Sequence, residues 1–113
     1  MSRSAVRQVT ARNSAPAFAA LGDETRLRIV SRLSNQGPAS ITGLTADSGV
    51  TRQAVTKHLR VLERAGLVRS HRVGRESRWQ MEQRRLEDAR RYLEQISAQW
   101  DTALERLRRF FEN

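Results

Sequence analysis

The chain has 113 residues, a formal net charge of +9, few aromatic residues and no cysteine. This length predicts one thin core, and the missing cysteine excludes disulfides, zinc–thiolate sites and thiol redox chemistry. No stretch approaches the ~18 consecutive apolar residues of a membrane span, and the first residues lack the apolar run of a secretory signal, so a cytoplasmic setting with no membrane partner is expected.

In chain order, residues 1–13 carry Arg3, Arg7 and Arg12, no acid and little apolar content, and read as a flexible arm or a weak first helix. Ser14 with Pro16 behind it reads as a helix start, because proline is tolerated in a first turn where its missing N–H costs nothing. Phe18 and Leu21 give that helix a short apolar face and Gly22 stops it. Asp23 is placed to cap a second helix. There Leu27, Ile29, Val30 and Leu33 recur on one side, with Arg26, Arg28 and Arg32 mostly on the other. Asn35 to Pro38 end it.

Ser40 opens a short third helix with Ile41 and Leu44 inward and Asp47 outward. Ser48-Gly49-Val50 makes a turn in which Gly49 can adopt a positive φ without steric cost. Thr51 caps a fourth helix, where Val55, Leu59 and Leu62 face the core and Arg52, Gln53, Thr56, Lys57, Arg60 and Arg64 point away. After Ala65-Gly66 the period changes. Leu67 to Arg72 and Ser77 to Met81 read as two short strands joined across 73–76, with Trp79 and Met81 on one face and Arg78 and Gln80 on the other. The last segment places Leu86, Ala89, Leu93, Ile96, Trp100, Ala103, Leu107 and Phe110 at three- and four-residue steps, which predicts one long helix with a single apolar seam. The expected organisation is an arm over 1–13, a folded domain over 14–82 and a dimerisation helix over 83–113.

Charge is concentrated in the middle. Residues 52–78 hold eight Lys/Arg against Glu63 and Glu76, a balance of +6, whereas residues 79–113 hold seven of each sign and cancel. Such a block attracts a polyanion, and duplex DNA is the commonest one. Two short helices around a Gly turn, followed by a basic hairpin, form a winged helix-turn-helix, a mainly α fold with a small β-hairpin. A helix fits the major groove of B-DNA, where base edges present distinct donor and acceptor patterns. Arg52 has the chemistry to pair with guanine O6 and N7, Gln53 to read adenine N6 and N7, and Thr56 to donate, accept or touch a thymine methyl. Lys57 and Arg60 suit phosphates, which position a protein without reading sequence.

The stretch Ala20 to Leu33, ALGDETRLRIVSRL, resembles the second helix of the ArsR/SmtB repressors. Val50 to Val68, VTRQAVTKHLRVLERAGLV, is similar to their recognition helix and its exit, and Arg72 to Trp79, RVGRESRW, to their wing. The resemblance covers about residues 15–81. It implies a dimeric bacterial repressor that leaves its operator when a signal arrives, with a small-molecule inducer as a further partner. It places Arg52, Gln53, Thr56, Lys57 and His58 on the DNA-contacting helix and Arg72, Arg75 and Arg78 on the wing, with Arg60 beside them. It also implies a homodimer built from the first and last helices, here Phe18 and Leu21 with Leu93, Ile96, Trp100, Leu104 and Leu107. A dimer would set its recognition helices about 34 Å apart and select an inverted repeat.

The departure from the family lies in the metal ligands. Where many members carry a Cys-x-Cys pair, this chain reads Ile41-Thr-Gly-Leu-Thr-Ala-Asp47, and residues 83–113 contain no His. His58 and His71, the two His of the chain, are expected to have no carboxylate nearby and suit hydrogen bonding better than metal binding. Neither a metal nor another cofactor is expected, and the chain is closest to the metal-independent subgroup. No nucleophile–base set or phosphate-cradling loop points to an enzyme. RNA recognition calls for exposed aromatics, which are scarce. The competing reading is a sequence-tolerant architectural DNA-binding protein.

Overall fold

The computed structural model describes residues 10–46 and 48–112, so residues 1–9 of the arm predicted over 1–13 and the predicted outward placement of Asp47 lie outside the described residues. Helix α1 (Ala11–Leu21) begins three residues earlier than the Ser14–Pro16 signal predicts. Thr10 is its cap, its hydroxyl accepting from the Asn13 N–H at 3.1 Å, and Pro16 lies within the helix. Ser14 is therefore an interior residue, and it is buried. Helix α2 (Glu24–Gln36) starts at the expected cap, with the Asp23 carboxylate accepting from the Arg26 N–H at 3.1 Å.

A two-residue strand that periodicity alone does not reveal, β1 (Ala39–Ser40), precedes the short helix α3 (Ile41–Ala46). Gly49 takes the predicted positive φ, 72°, in the turn that leads to α4 (Arg52–Arg64). Thr51 caps α4, accepting from the Ala54 N–H at 3.1 Å. Strands β2 (Val68–Val73) and β3 (Glu76–Met81) form the hairpin, and β1 adds to its β3 edge, giving the order β1-β3-β2, all antiparallel. The two-residue loop Gly74-Arg75 puts the glycine, at φ 65°, in its first position, which is the residue that a tight hairpin of this kind requires. Helix α5 (Gln83–Glu112) closes the chain.

The core follows the apolar pattern with two corrections. Val55, Leu59 and Leu62 of α4 are fully enclosed, with Ile29 and Leu33 of α2, Leu44 of α3, Leu67, Val68 and Trp79 around them and Ala17 and Ala20 of α1 as a lid. Leu27, expected inside, is 51% exposed. Arg26 and Arg32, expected mostly outside, are partly buried, because both guanidiniums are used to tie elements together. Arg26 Nε donates to the Ala20 carbonyl of α1, and Arg32 Nη1 to the Gly43 carbonyl of α3 at 3.1 Å. A guanidinium can be drawn inward in this way when carbonyl acceptors satisfy its donors.

Candidate nucleic-acid interface

The interface is assembled from the start of α4 and the tip of the hairpin. Because Val55, Leu59 and Leu62 turn α4's apolar stripe inward, Arg52, Gln53 and Lys57 are left exposed on the opposite side. Arg52 and Arg75 line one recess of about 470 Å³, together with Ser40, Ile41, Thr42, Glu76 and Ser77. Residues 23 apart in sequence thus share one concave wall. Arg52 is not free to sweep across it: Nη1 donates to Thr42 Oγ1 at 2.9 Å, so α3 presets the direction of the guanidinium.

The other candidate residues divide into three groups. Thr56 is half-buried and its hydroxyl donates to the Arg52 carbonyl at 2.9 Å. Its hydrogen is spent on the helix, which leaves lone pairs and the methyl group for a base and corrects the expectation that it could donate. Arg60 reaches sideways rather than outward, with its guanidinium 5.8 Å from the centroid of the Trp79 ring and 3.3 Å from Glu63 Oε1. That stacking joins α4 to the sheet while the cation stays exposed.

On the hairpin, register separates the arginines. Arg72 pairs with Ser77 and shares the face of Ser70 and Trp79, whereas Arg78 pairs with His71 on the opposite face. Arg78 also lies 3.5 Å from Glu76 Oε1. Arg75, in the two-residue loop, belongs to neither face. The three wing arginines are therefore presented in three directions, and Arg75 is the one that lines the same recess as Arg52.

His58 does not belong to this surface. It lies three residues after Val55 and so flanks the buried stripe, and its contacts turn it toward α2 and the α2 cap. Nδ1 sits 3.2 Å from Arg26 Nη1 and 3.8 Å from Asp23 Oδ2. The expectation that no acid lies near either His is thereby corrected at His58. As a guanidinium has only donors, a neutral ring accepts from Arg26 at Nδ1, whereas a protonated ring turns its charge on Asp23. Asp23 is held below the usual aspartate range, first by the Arg26 N–H bonded to it and then by the positive field of His58 and Arg26. Sequence reasoning found Asp23 as a cap. It missed that the same carboxylate braces α4, and likewise missed Thr42, because both depend on elements that only the fold brings together.

Among the described residues no group of three or more His, Cys, Asp or Glu is placed to hold a metal ion, and no helix is long and apolar enough to cross a membrane.

A helix-turn-helix domain family matches residues 21–71. The uncharacterized HTH-type transcriptional regulator YuzN of Bacillus subtilis (strain 168) is 47% identical over 64 residues, which cover 51% of this chain and 70% of that protein. The structure of an ArsR-like transcriptional regulator from Rhodococcus sp. RHA1 matches with a TM-score of 0.73 at 39% identity, covering 88% of this chain and 92% of that one. A winged helix-turn-helix DNA-binding domain from Mycobacterium bovis, described as homodimeric, shares the fold with a TM-score of 0.62 at 24% identity over 84% of each chain. With the helix pair, the hairpin and the basic recess in place, these likenesses identify the fold as a winged helix-turn-helix and the protein as a regulator of transcription rather than an enzyme: the chain belongs to the ArsR family of helix-turn-helix transcriptional regulators.

Proposed function

We propose that the chain is a homodimeric, metal-independent repressor that binds an inverted-repeat duplex, with α4 entering the major groove and the β2–β3 hairpin lying along the flanking backbone. The observation that carries this reading is the recess shared by Arg52 and Arg75, a base-reading side chain and a backbone-anchoring one on the same wall. In this reading Arg52, Gln53 and Thr56 read bases, while Lys57, Arg60, Arg72, Arg75 and Arg78 neutralise phosphates. His58 is a brace for α4 and touches no DNA. The homodimer is supported by the bare apolar seam of α5 and by the homodimeric assembly of the Mycobacterium bovis relative. Metal independence is supported by the absence of cysteine from the chain and of histidine from its last helix. Repression follows from occlusion of the promoter by the bound dimer, and a small-molecule inducer would act by shifting the dimer away from its operator.

The test is selection of bound duplexes from a random pool at two salt concentrations. An imperfect inverted repeat with half-sites one helical turn apart is expected, with log affinity falling by about 0.9 per neutralised phosphate for each unit of log salt. Salt-sensitive binding to every duplex with no recovered motif would replace this reading with the architectural one.

A further inference from the structure

A cavity of about 300 Å³ lies where the starts of α1 and α5 meet the exit of α4, at the other end of α4 from the Arg52–Arg75 recess. Arg12 and Ser14 line it from α1, Arg64 and Gly66 from the α4 exit, and Arg85 and Asp88 from α5. Three guanidiniums against one carboxylate leave the lining at +2. All three arginines are exposed, and among the described residues none of them has an ion-pair partner. Elsewhere on α5 the habit is different: Arg90 and Arg108 are each paired with two glutamates. The first turns of α1 and α5 add the positive ends of their helix dipoles to this field, and Arg64 offsets the negative end of α4.

Two further observations point to a ligand and to what it would control. Ser14 is 1% exposed, and its Oγ has no hydrogen-bond partner. A buried hydroxyl left unpaired costs stability, which an occupant of the cavity would recover. Gly66 connects the cavity to α4. It takes φ 78°, and a Cβ there would lie 2.7 Å from Arg85 Cγ, so the Arg85 stem crosses the chain where α4 hands over to β2. A molecule that draws Arg64 and Arg85 onto itself therefore acts on the end of the helix proposed to read DNA.

We propose that this cavity binds a small organic dianion carrying a hydroxyl group, and that its occupant resets the exit of α4 and releases DNA. The sign of that response rests on the repressor reading; the site does not. A dianion matches the lining charge of +2. The volume exceeds what an inorganic anion fills, and Ala17 and Ala65 on the wall give cover to a carbon skeleton. The hydroxyl supplies the partner that Ser14 Oγ lacks. A DNA phosphate fits less well. Arg52 and Arg64 are the two ends of α4, about 18 Å apart along its axis, and a strand touching exposed guanidiniums leaves the buried Ser14 hydroxyl unpaired.

The probes are malate, succinate and inorganic phosphate, titrated into the full-length protein by calorimetry at constant ionic strength. Affinity for the duplex recovered by selection is measured with and without each. Malate is expected to bind saturably, one per chain, about fivefold tighter than succinate, which lacks the hydroxyl, with phosphate the weakest. Arg64→Gln and Arg85→Gln, both at exposed positions, should each weaken malate about tenfold or more. Ser14→Ala should erase the preference for malate over succinate. It should leave the Tm of the unliganded protein unchanged or raised, because the hydroxyl has no partner to lose. Saturating malate should weaken duplex binding about tenfold, and Arg85→Gln should remove that response. Absence of saturable binding by either dicarboxylate, or binding indifferent to Arg64→Gln and Arg85→Gln, would overturn the site, while a recovered inverted repeat would keep the repressor reading. If those two variants instead weakened duplex binding and lowered its salt slope with no anion bound, the arginines would be DNA contacts and the proposal would fall. Malate binding with unchanged duplex affinity would overturn the effector role. Malate binding that tightened the duplex would keep the site and overturn release as its consequence.

Discussion

Helices α4 and α5 carry the same kind of pattern, an apolar stripe opposite a charged face, and the fold treats them differently. The stripe of α4 is wholly enclosed at Val55, Leu59 and Leu62, whereas the 30 residues of α5 bury only Asp88 and Ala89. The cause is length. Thirteen residues span about 20 Å, which one small domain can cover, and thirty span about 45 Å, which it cannot. An apolar period therefore says that a face needs cover, and the length of the element against the size of the domain says whether the cover is in the same chain. In the proposed function the surface of α4 left outside serves DNA and the surface of α5 left outside serves another copy.

The largest effects separate these two roles. Leu59→Ala should destabilise the domain by about 2–5 kcal/mol, since it deletes a fully enclosed side chain of the core. Leu107→Ala, at a position 52% exposed in the single chain, should change the domain's own stability by less than about 0.5 kcal/mol in dilute solution. Its cost should appear in association, as a shift of the monomer–dimer midpoint to higher concentration. Chemical denaturation at two protein concentrations checks both. Equal losses for the two variants at low concentration would mean that α5's tip is folded against its own domain, and the contrast between the helices would collapse.

The fold is legible in the sequence wherever one element determines its own form. Asp23 and Thr51 cap the helices they are expected to cap, Gly49 takes the positive φ, and Trp79 and Met81 share a strand face. Sequence reasoning fails where a distant partner decides. Strand β1 is two residues long, too short for any period, and exists because Ala39 and Ser40 pair with Trp79 and Arg78. Pro16 reads as a first-turn proline and so puts the start of α1 too late, while Thr10 supplies the cap. In the interface, exposure of Arg52, Gln53 and Lys57 follows from the α4 stripe alone. The inward turn of His58 does not, because it needs Asp23 and Arg26 from outside α4.

A second contrast lies within the interface. Arg52→Ala should cost about 1–3 kcal/mol of discrimination at one base pair per half-site and flatten the selected motif there. Arg75→Ala should weaken binding to all sequences alike and reduce the salt slope by about 0.9 per protomer for each phosphate that is no longer neutralised. Binding curves on the selected site and on a scrambled one, at several salt concentrations, distinguish reading from anchoring. If the two variants gave the same sequence profile, the recess would be a plain phosphate clamp.

The smallest expected effect concerns the brace rather than the surface it supports. Asp23 is held below the usual aspartate range by the Arg26 N–H and by the charges of His58 and Arg26. A carboxyl whose pKa is lower in the folded state than in the unfolded one contributes stability that is fully present above the unfolded value. That contribution is lost as pH falls through the folded value. Asp23→Asn keeps an oxygen for the cap and removes the charge. It should lower Tm slightly at neutral pH and flatten the acid side of the Tm–pH profile, leaving the selected DNA motif unchanged. Thermal unfolding from neutral pH into the acid range measures the first effect, and repeat selection of bound duplexes measures the second. A changed motif would mean that the Asp23–His58 contact sets the angle of α4 in the groove, and the boundary between brace and reading surface would have to be redrawn through His58.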